Sequence, residues 1–260
     1  MSEKLVEHQI TESVATITLN RPKALNALNN DMIADLIQLF KQFSDDPKVR
    51  VIVLEGKGRS FCAGDDLIDM GTENHPNPHQ KLTEYREGYP AFVKQMRATE
   101  KPIICKIHGY ALGAGFEMAL ASDIIIAEEE SKMGLPFVLR GIAAGTYLLP
   151  KVVGYHKASE LLFTGEMVTA SEAKELGILN HVVPKEELGT KVDELVQKLQ
   201  TGATRAMGLM KLAMNQSLHK NVSDALNEQA YATTLSFHTD DFVEGKQAFF
   251  EKRNPEFKGK

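Results

Sequence analysis

The sequence predicts an α/β fold made of repeated strand–strand–helix units, followed by a mainly helical C-terminal region. Three observations predict it. Short β-branched runs recur in pairs ahead of helical periods through the first half. Glycine-rich turns join strands to helices near residues 56–64 and 109–115. The second half is dominated by helical spacing, and the strict strand–helix alternation of a doubly wound sheet is missing.

In chain order, residues 5–10 and 14–19 read as strands of a hairpin turning through Thr11, Glu12 and Ser13. Pro22 blocks a strand, so the next stretch is a loop. Asn29 or Asn30 caps a helix whose apolar stripe is Ile33, Leu36, Ile37, Phe40 and Phe43, and Pro47 stops it. Residues 49–54 form a strand. Gly56, Gly58 and Gly64 then mark a loop after which Asp65 or Asp66 opens a short helix. Residues 71–80 read as a surface loop and 80–99 as a helix. Ile103, Ile104 and Ile107 make a strand, a short helix begins near Ala114, and Ile124, Ile125 and Ile126 make the next strand. Thr169 or Ser171 caps a short helix ending at Gly177, ahead of strand 178–183. Helices over 186–200, 204–218, 222–236 and 239–251 complete the chain. The expected division is a core over 1–200 and a helical region over 201–260. Phe237, Phe242, Phe249 and Phe250 read as core or subunit contact, and residues 252–255 and 258–260 as a solvated tail.

The 260 residues are 43% hydrophobic and 25% charged, which suits one large core with an appendage. The formal net charge of −5, with both signs spread along the chain, argues against nucleic acid as the main partner. No secretory signal and no membrane span is visible, so the expected location is cytoplasmic, with no membrane partner. Cys62 and Cys105 can in principle pair, but no disulfide framework is evident and the reduced state is expected. His75 and His79 are separated by Pro76 and Pro78, which forbid a helix, so no metal pair is expected.

The chemistry concentrates in residues 102–127. Gly109, Gly113 and Gly115 lack the dinucleotide spacing Gly-x-Gly-x-x-Gly, and the chain has no P-loop. A helix starting at Ala114 points its first N–H groups at whatever lies before it. Glu117 follows one turn later on the same side. The bland alternative is that the glycines only pack closely and Glu117 is solvated. A second segment, Ser60 to Leu67, counts against it: Asp65 follows Gly64 as Ala114 follows Gly113. Two backbone N–H donors aimed at one oxygen form an oxyanion hole, and losing one donor typically costs roughly 2.7–4 kcal/mol of barrier.

The chain resembles the enoyl-CoA hydratase/isomerase, or crotonase, family over nearly its whole length. The resemblance is carried by Leu19-Asn-Arg-Pro-Lys-Ala-Leu-Asn-Ala-Leu28, Phe61-Cys-Ala-Gly-Asp-Asp-Leu67 and His108-Gly-Tyr-Ala-Leu-Gly-Ala-Gly-Phe-Glu-Met-Ala-Leu-Ala-Ser-Asp123. It continues through Leu162-Phe-Thr-Gly165, the helix from Ala170 to Leu176, and the ending Glu244-Gly-Lys-Gln-Ala-Phe-Phe-Glu-Lys-Arg253. It implies a crotonase-like spiral of β-β-α units with a helical trimerisation region, and a homotrimer or a homohexamer of two trimers. It implies an acyl-CoA thioester whose carbonyl sits between the N–H groups of Asp65 and Ala114, with coenzyme A as part of the substrate and no other cofactor. Lys23, Ala24 and Leu25 would lie against the CoA moiety, Asp66, Leu67 and Ile68 along the thioester arm. Glu117 matches the first of the two catalytic glutamates of the hydratases.

The second glutamate of that pattern falls at position 137, where this chain has Phe137 within Leu135-Pro-Phe-Val-Leu-Arg-Gly. The glycine turn that follows is shortened, and residues 133–150 contain no acid. A hydratase so altered is expected to be slow unless Asp69, Glu73 or His75 moves in, since one positioned acid or base is typically worth roughly 10²–10⁴-fold. Hydratase-like lyase is the leading expectation. An isomerase using Glu117 as single base is the alternative, with apolar neighbours raising its pKa; a non-catalytic acyl-CoA-binding homologue is a third. RNA binding is disfavoured by the charge. His108 reads as a structural histidine ending its strand, the cysteines as apolar fillers, and Arg140 as a surface arginine, with recognition of a substrate carboxylate as the competing role.

Overall fold

The structure is a computed structural model that describes residues 4–69, 86–217 and 220–260. Its centre is a six-stranded sheet in the order β1-β2-β3-β4-β6-β9. The strands are β1 Val6–Thr11, β2 Val14–Leu19, β3 Val51–Gly56, β4 Ile103–Ile107, β6 Ile124–Glu128 and β9 His181–Val183. β1 and β2 form the expected hairpin, with Val6 opposite Leu19, and Glu12 takes positive φ at the turn. From β2 onward every neighbouring pair is parallel. A second sheet of three short strands, β5 Tyr110–Leu112, β7 Lys132–Gly134 and β8 Met167–Thr169, stands beside it.

The central strands β3, β4 and β6 are largely buried on both faces, so their β-branched runs are continuous instead of alternating. In β3, Ile52 and Leu54 join the main core with α1 (Asn30–Asp45) and α2 (Tyr89–Ala98). Val51 and Val53 face the other way, against Leu188, Val192 and Val196 of α7 (Leu188–Gln200). Asn29 caps α1 by accepting the Met32 N–H, and the predicted stripe is buried at Ile33, Leu36, Phe40 and Phe43. The capping box at Thr169 and Glu172 starts α6 (Ala170–Glu175) as expected.

Several expectations are corrected. Asp65 and Asp66 open no helix: Asp65 pairs with Leu28 in an isolated bridge, and residues 67–69 form a turn in which the Ile68 N–H donates to the Asp66 carboxylate at 3.1 Å. The helix expected over 80–99 is described from Tyr89 to Ala98, and the loop 71–80, with His75 and His79, lies outside the described residues. The strand expected over 178–183 is confined to β9. The sequence reading had no counterpart for the second sheet or for helices α4 (Leu149–Val153) and α5 (Tyr155–Thr164).

At the C-terminal end come α8 (Thr204–Ser217), α9 (Val222–Ser236) and α10 (Asp240–Glu251). Lys211 of α8 is buried and pairs with Asp123 at 2.8 Å, tying this helix to the core. The four C-terminal phenylalanines are not core of this chain: Phe249 and Phe250 are 78% and 71% exposed, and Phe237 and Phe242 are also exposed. The tail is docked through its backbone. The Lys258 and Gly259 N–H groups donate to the buried Asp241 carboxylate, and Arg50 donates to the Phe257 carbonyl. The side chains of Lys252, Arg253, Asn254, Pro255, Lys258 and Lys260 are exposed, as expected of a solvated tail, with Arg253 paired to Glu244 and Glu251.

Candidate active site

Three segments from different parts of the chain are laced together around residues 63–65 and 113–117. Residues 61–62 pair with β5 and the residues just before it: the Phe61 N–H donates to His108 O, Cys62 N–H to Tyr110 O and Leu112 N–H to Cys62 O. On the other side the Ala63 N–H donates to Leu25 O, Leu28 N–H to Gly64 O at 2.8 Å and Asp66 N–H to Leu28 O at 2.9 Å. The Gly113 N–H donates to Gly134 O, which pins the second glycine loop to β7. Each loop is thus fixed by strand-type hydrogen bonds before any side chain is considered.

The result is direct contact between the loops. A Cβ placed on Gly64, where φ is +95°, comes within 2.8 Å of Leu112 O and 3.4 Å of the Ala114 nitrogen. Only a residue without a side chain permits that approach. Gly115 is equally confined, its added Cβ falling 2.7 Å from Cys62. Helix α3 (Ala114–Ala121) starts at this contact with Gly113 at its N-cap. The Ala114 N–H, first in the helix, has no acceptor among the described residues. The Tyr89 hydroxyl donates to the Ala114 carbonyl at 2.9 Å, anchoring the helix's first turn from α2.

Glu117 sits one turn along α3, half-buried. Burial pushes its carboxyl up to about 7, and the nearby Asp65 charge adds to the shift. A carboxyl poised there can give or take a proton near neutrality. Asp65, Gly64, Leu112 and Gly113 line one small cleft with Leu67, Phe137, Arg140 and Ile142. Larger hollows elsewhere, lined by Gln9, Thr16 and Glu55 or by Lys4 and His8, contain none of residues 63–65 and 113–117.

The structure therefore gathers Asp65, Ala114, Glu117, Leu67 and Phe137 in one place. Phe137 is buried, its ring 3.4 Å from where a Gly113 Cβ would stand. Asp66 is turned away from the cleft. Its buried carboxylate pairs with Arg21 at 2.7 Å. Burial alone would raise its pKa, but the Arg21 hydrogen bond and the Ile68 N–H prevail and hold it below the usual carboxylate range. Lys23 is exposed on the 3-10 turn Pro22–Ala24, Ala24 and Leu25 are half-buried, and Ile68 is 88% exposed. Arg140 is exposed, donates to the Pro136 carbonyl of its own turn, and lines the cleft. His108 receives the expected structural place, its Nε2 3.0 Å from Gly58 O. Both cysteines are buried; burial pushes the Cys62 thiol up to about 12, so it is an inert filler here. Glu73 and His75 lie outside the described residues, and the Asp69 N–H closes the turn onto Asp66 O.

Sequence reasoning missed Asn26. It is fully buried at positive φ, donates to the Lys57, Ser60 and Phe61 carbonyls and accepts the Arg21 N–H. It staples the first segment to the glycine loop. An asparagine after Leu25 in a proline-containing loop was the available signal, since asparagine tolerates left-handed backbone. Tyr89 was also missed, and nothing in its local sequence singles it out.

Comparison with known proteins agrees with the geometry. The Enoyl-CoA hydratase/isomerase family profile matches residues 9–260. The chain is 36% identical to 1,2-epoxyphenylacetyl-CoA isomerase of Escherichia coli over 264 residues, covering 100% of both chains. It is 36% identical to crotonyl-CoA hydratase of Syntrophomonas wolfei over 254 residues, covering 95% of each. The crystal structure of enoyl-CoA hydratase from Bacillus anthracis superposes with a TM-score of 0.91 at 32% identity, covering 99% of this chain and 100% of that one. The fold is that of the crotonase class. The chain belongs to the enoyl-CoA hydratase/isomerase family, a family of enzymes acting as lyases and isomerases.

Proposed function

We propose that this enzyme hydrates 2-enoyl-CoA thioesters at the cleft between the two glycine loops. One observation carries the reading: the Gly64–Ala114 contact, with Glu117 one helical turn away and poised near neutrality. The thioester oxygen lies between the Asp65 and Ala114 N–H groups. Addition of water across Cα and Cβ passes through an enolate whose charge collects on that oxygen, and two fixed backbone donors stabilise it without reorganisation. Glu117 exchanges a proton with the substrate beside it. Lys23, Ala24 and Leu25 contact the CoA moiety, while Leu67, Ile68 and Phe137 border the thioester arm and acyl group; Asp66 supports that arm through its pair with Arg21. The chemistry needs no cofactor beyond the coenzyme A of the substrate.

Phe137 favours a second reading, migration of the double bond, which one carboxylate can perform alone. Turnover of crotonyl-CoA and of a 3-enoyl-CoA separates the two. Glu117→Gln is expected to lower the favoured reaction by roughly 10²–10⁴-fold while acyl-CoA binding persists. Equal turnover by wild type and variant refutes the assignment; tight thioester binding with no turnover points to a non-catalytic binding protein. The exposed Phe249 and Phe250, in the helical region over 201–260, support a homotrimeric or homohexameric assembly through that region. Sedimentation of Phe249→Ser/Phe250→Ser against wild type tests it. No described helix is long and apolar enough to cross a membrane. A cytoplasmic place is part of this proposal and follows from the acyl-CoA chemistry alone.

A further inference from the structure

We propose that the Asp65 side chain, and not only its N–H, takes part in the reaction: Asp65 and Glu117 divide between them the two proton transfers of hydration. The inference rests on the hydratase reading above. Hydration moves two protons at two carbons, and Phe137 stands where a second carboxylate would come from. Residues 133–150 offer no other acid. Among the described residues that line the cleft with Gly113 and Phe137, Asp65 is the only carboxylate. Its neighbour Asp66 is committed to Arg21.

The position of Asp65 is fixed by the backbone. The hydrogen bonds of Gly64 O and the Asp66 N–H to Leu28 bracket it, and the contact of Gly64 with Leu112 O and the Ala114 nitrogen sets it at the mouth of α3. Glu117 leaves the same helix one turn later, and its proton affinity registers the Asp65 charge. Other titratable groups around α3 are Cys62 of the glycine loop, Tyr89 of α2 and Arg140 across the cleft. Cys62 is neutral at working pH, and neither Tyr89 nor Arg140 contributes to the Glu117 shift. Burial, with the Asp65 charge beside it, keeps Glu117 able to hold a proton near neutrality, so an acid stands next to the Asp65 side chain.

The steps balance without any other reagent. Ionised Asp65 takes a proton from water as the water oxygen bonds to Cβ. The Cα–Cβ π electrons move into the thioester to give the enolate, held by the Asp65 and Ala114 N–H groups. Protonated Glu117 then delivers its proton to Cα as the enolate collapses. One water has been added and nothing oxidised or reduced. The pair ends with its proton on Asp65, and transfer through solvent returns it to Glu117.

Asp65→Asn tests the proposal, because it keeps the backbone N–H and the side-chain volume. Three quantities are measured: hydration of crotonyl-CoA, double-bond shift of a 3-enoyl-CoA, and the titration of Glu117 by carbon NMR of carboxyl-labelled glutamate. Wild-type hydration is expected to fall as pH rises through about 7, where Glu117 loses the proton it must give. In Asp65→Asn, hydration kcat is expected to fall roughly 10²–10⁴-fold with little change in KM. The double-bond shift stays within roughly tenfold, since one base suffices. Glu117 titrates lower than in wild type, and Asp65→Glu recovers part of the hydration rate. Hydration by Asp65→Asn within about threefold of wild type overturns the proposal. So does joint loss of both reactions with the Glu117 titration unmoved, which would make Asp65 a loop-holding residue only. A wild-type protein that turns over neither substrate overturns the hydratase reading itself, and this assignment with it.

Discussion

Gly64→Ala asks whether the two glycine loops act as one device. At φ +95°, a non-glycine residue carries strain of roughly 1–3 kcal/mol. The added Cβ also falls 2.8 Å from Leu112 O, and that atom is backbone held in β5, so it cannot swing aside. The loops must separate. Any separation moves the Asp65 N–H relative to the Ala114 N–H, and one of them loses the thioester oxygen. Loss of one such donor costs roughly 2.7–4 kcal/mol of barrier, or 10²–10³ in kcat. Gly177→Ala is the matched control: its φ is +75°, but nothing lies within 4 Å of the added Cβ. It carries dihedral strain without collision, at a site away from the cleft. Both variants are expected to melt earlier, by roughly 2–4 °C per kcal/mol of strain. Only Gly64→Ala is expected to lose kcat in steady-state hydration of crotonyl-CoA, measured well below both melting transitions. If Gly64→Ala melts early yet keeps the wild-type kcat, the two loops do not grip a common oxygen.

Three other predictions concern stability. Glu117 has its folded pKa raised to about 7 from an unfolded 4.5, so ionising it penalises the folded state as pH climbs from 4.5 to 7. Thermal melts should show Glu117→Gln gaining on wild type across that window, by up to roughly 3 kcal/mol at its top, with no gain below pH 4.5. A gain independent of pH would show that desolvation of the carboxylate is not the cause. Lys211→Ala leaves the Asp123 carboxylate without its buried cation and is expected to cost about 3 kcal/mol in denaturant unfolding, with the Ile103 N–H still donating to Asp123; a change under 1 kcal/mol rejects that account. Asn26→Ala strips donors from three carbonyls, at roughly 1–3 kcal/mol for groups left buried and unsatisfied. Because Asn26 holds the glycine loop, kcat is expected to fall as well. A stability loss with full activity would place Asn26 outside the support of the site.

Much of this was legible before any coordinates. Ile103, Ile104 and Ile107 and the triple isoleucine at 124–126 are β-branched runs long enough to mark buried parallel strands, and they are β4 and β6. Asn29 and Thr169 announced their helices because capping is a local hydrogen bond. The three-residue strands β5, β7 and β8 were not legible. A strand of three residues has no period to detect, and each exists only because its partner is adjacent in space. The C-terminal phenylalanines left core and subunit contact open for a related reason: helical spacing shows that a face is apolar, not which molecule covers it, and their exposure removes only the first.

The sequence by itself determined the strand–strand–helix architecture, the helix starting at Ala114 with Glu117 one turn on, and the replacement of an acid by Phe137. These are properties of neighbours in the chain, set by propensity, capping and residue identity. Only the tertiary structure decided that Gly64 touches Ala114, that Asn26 and Tyr89 brace the two loops, and that Asp65 is felt by Glu117 while Asp66 is spent on Arg21. Such contacts join residues dozens of positions apart. Their distances follow from how the sheets pack, and no local pattern carries that information.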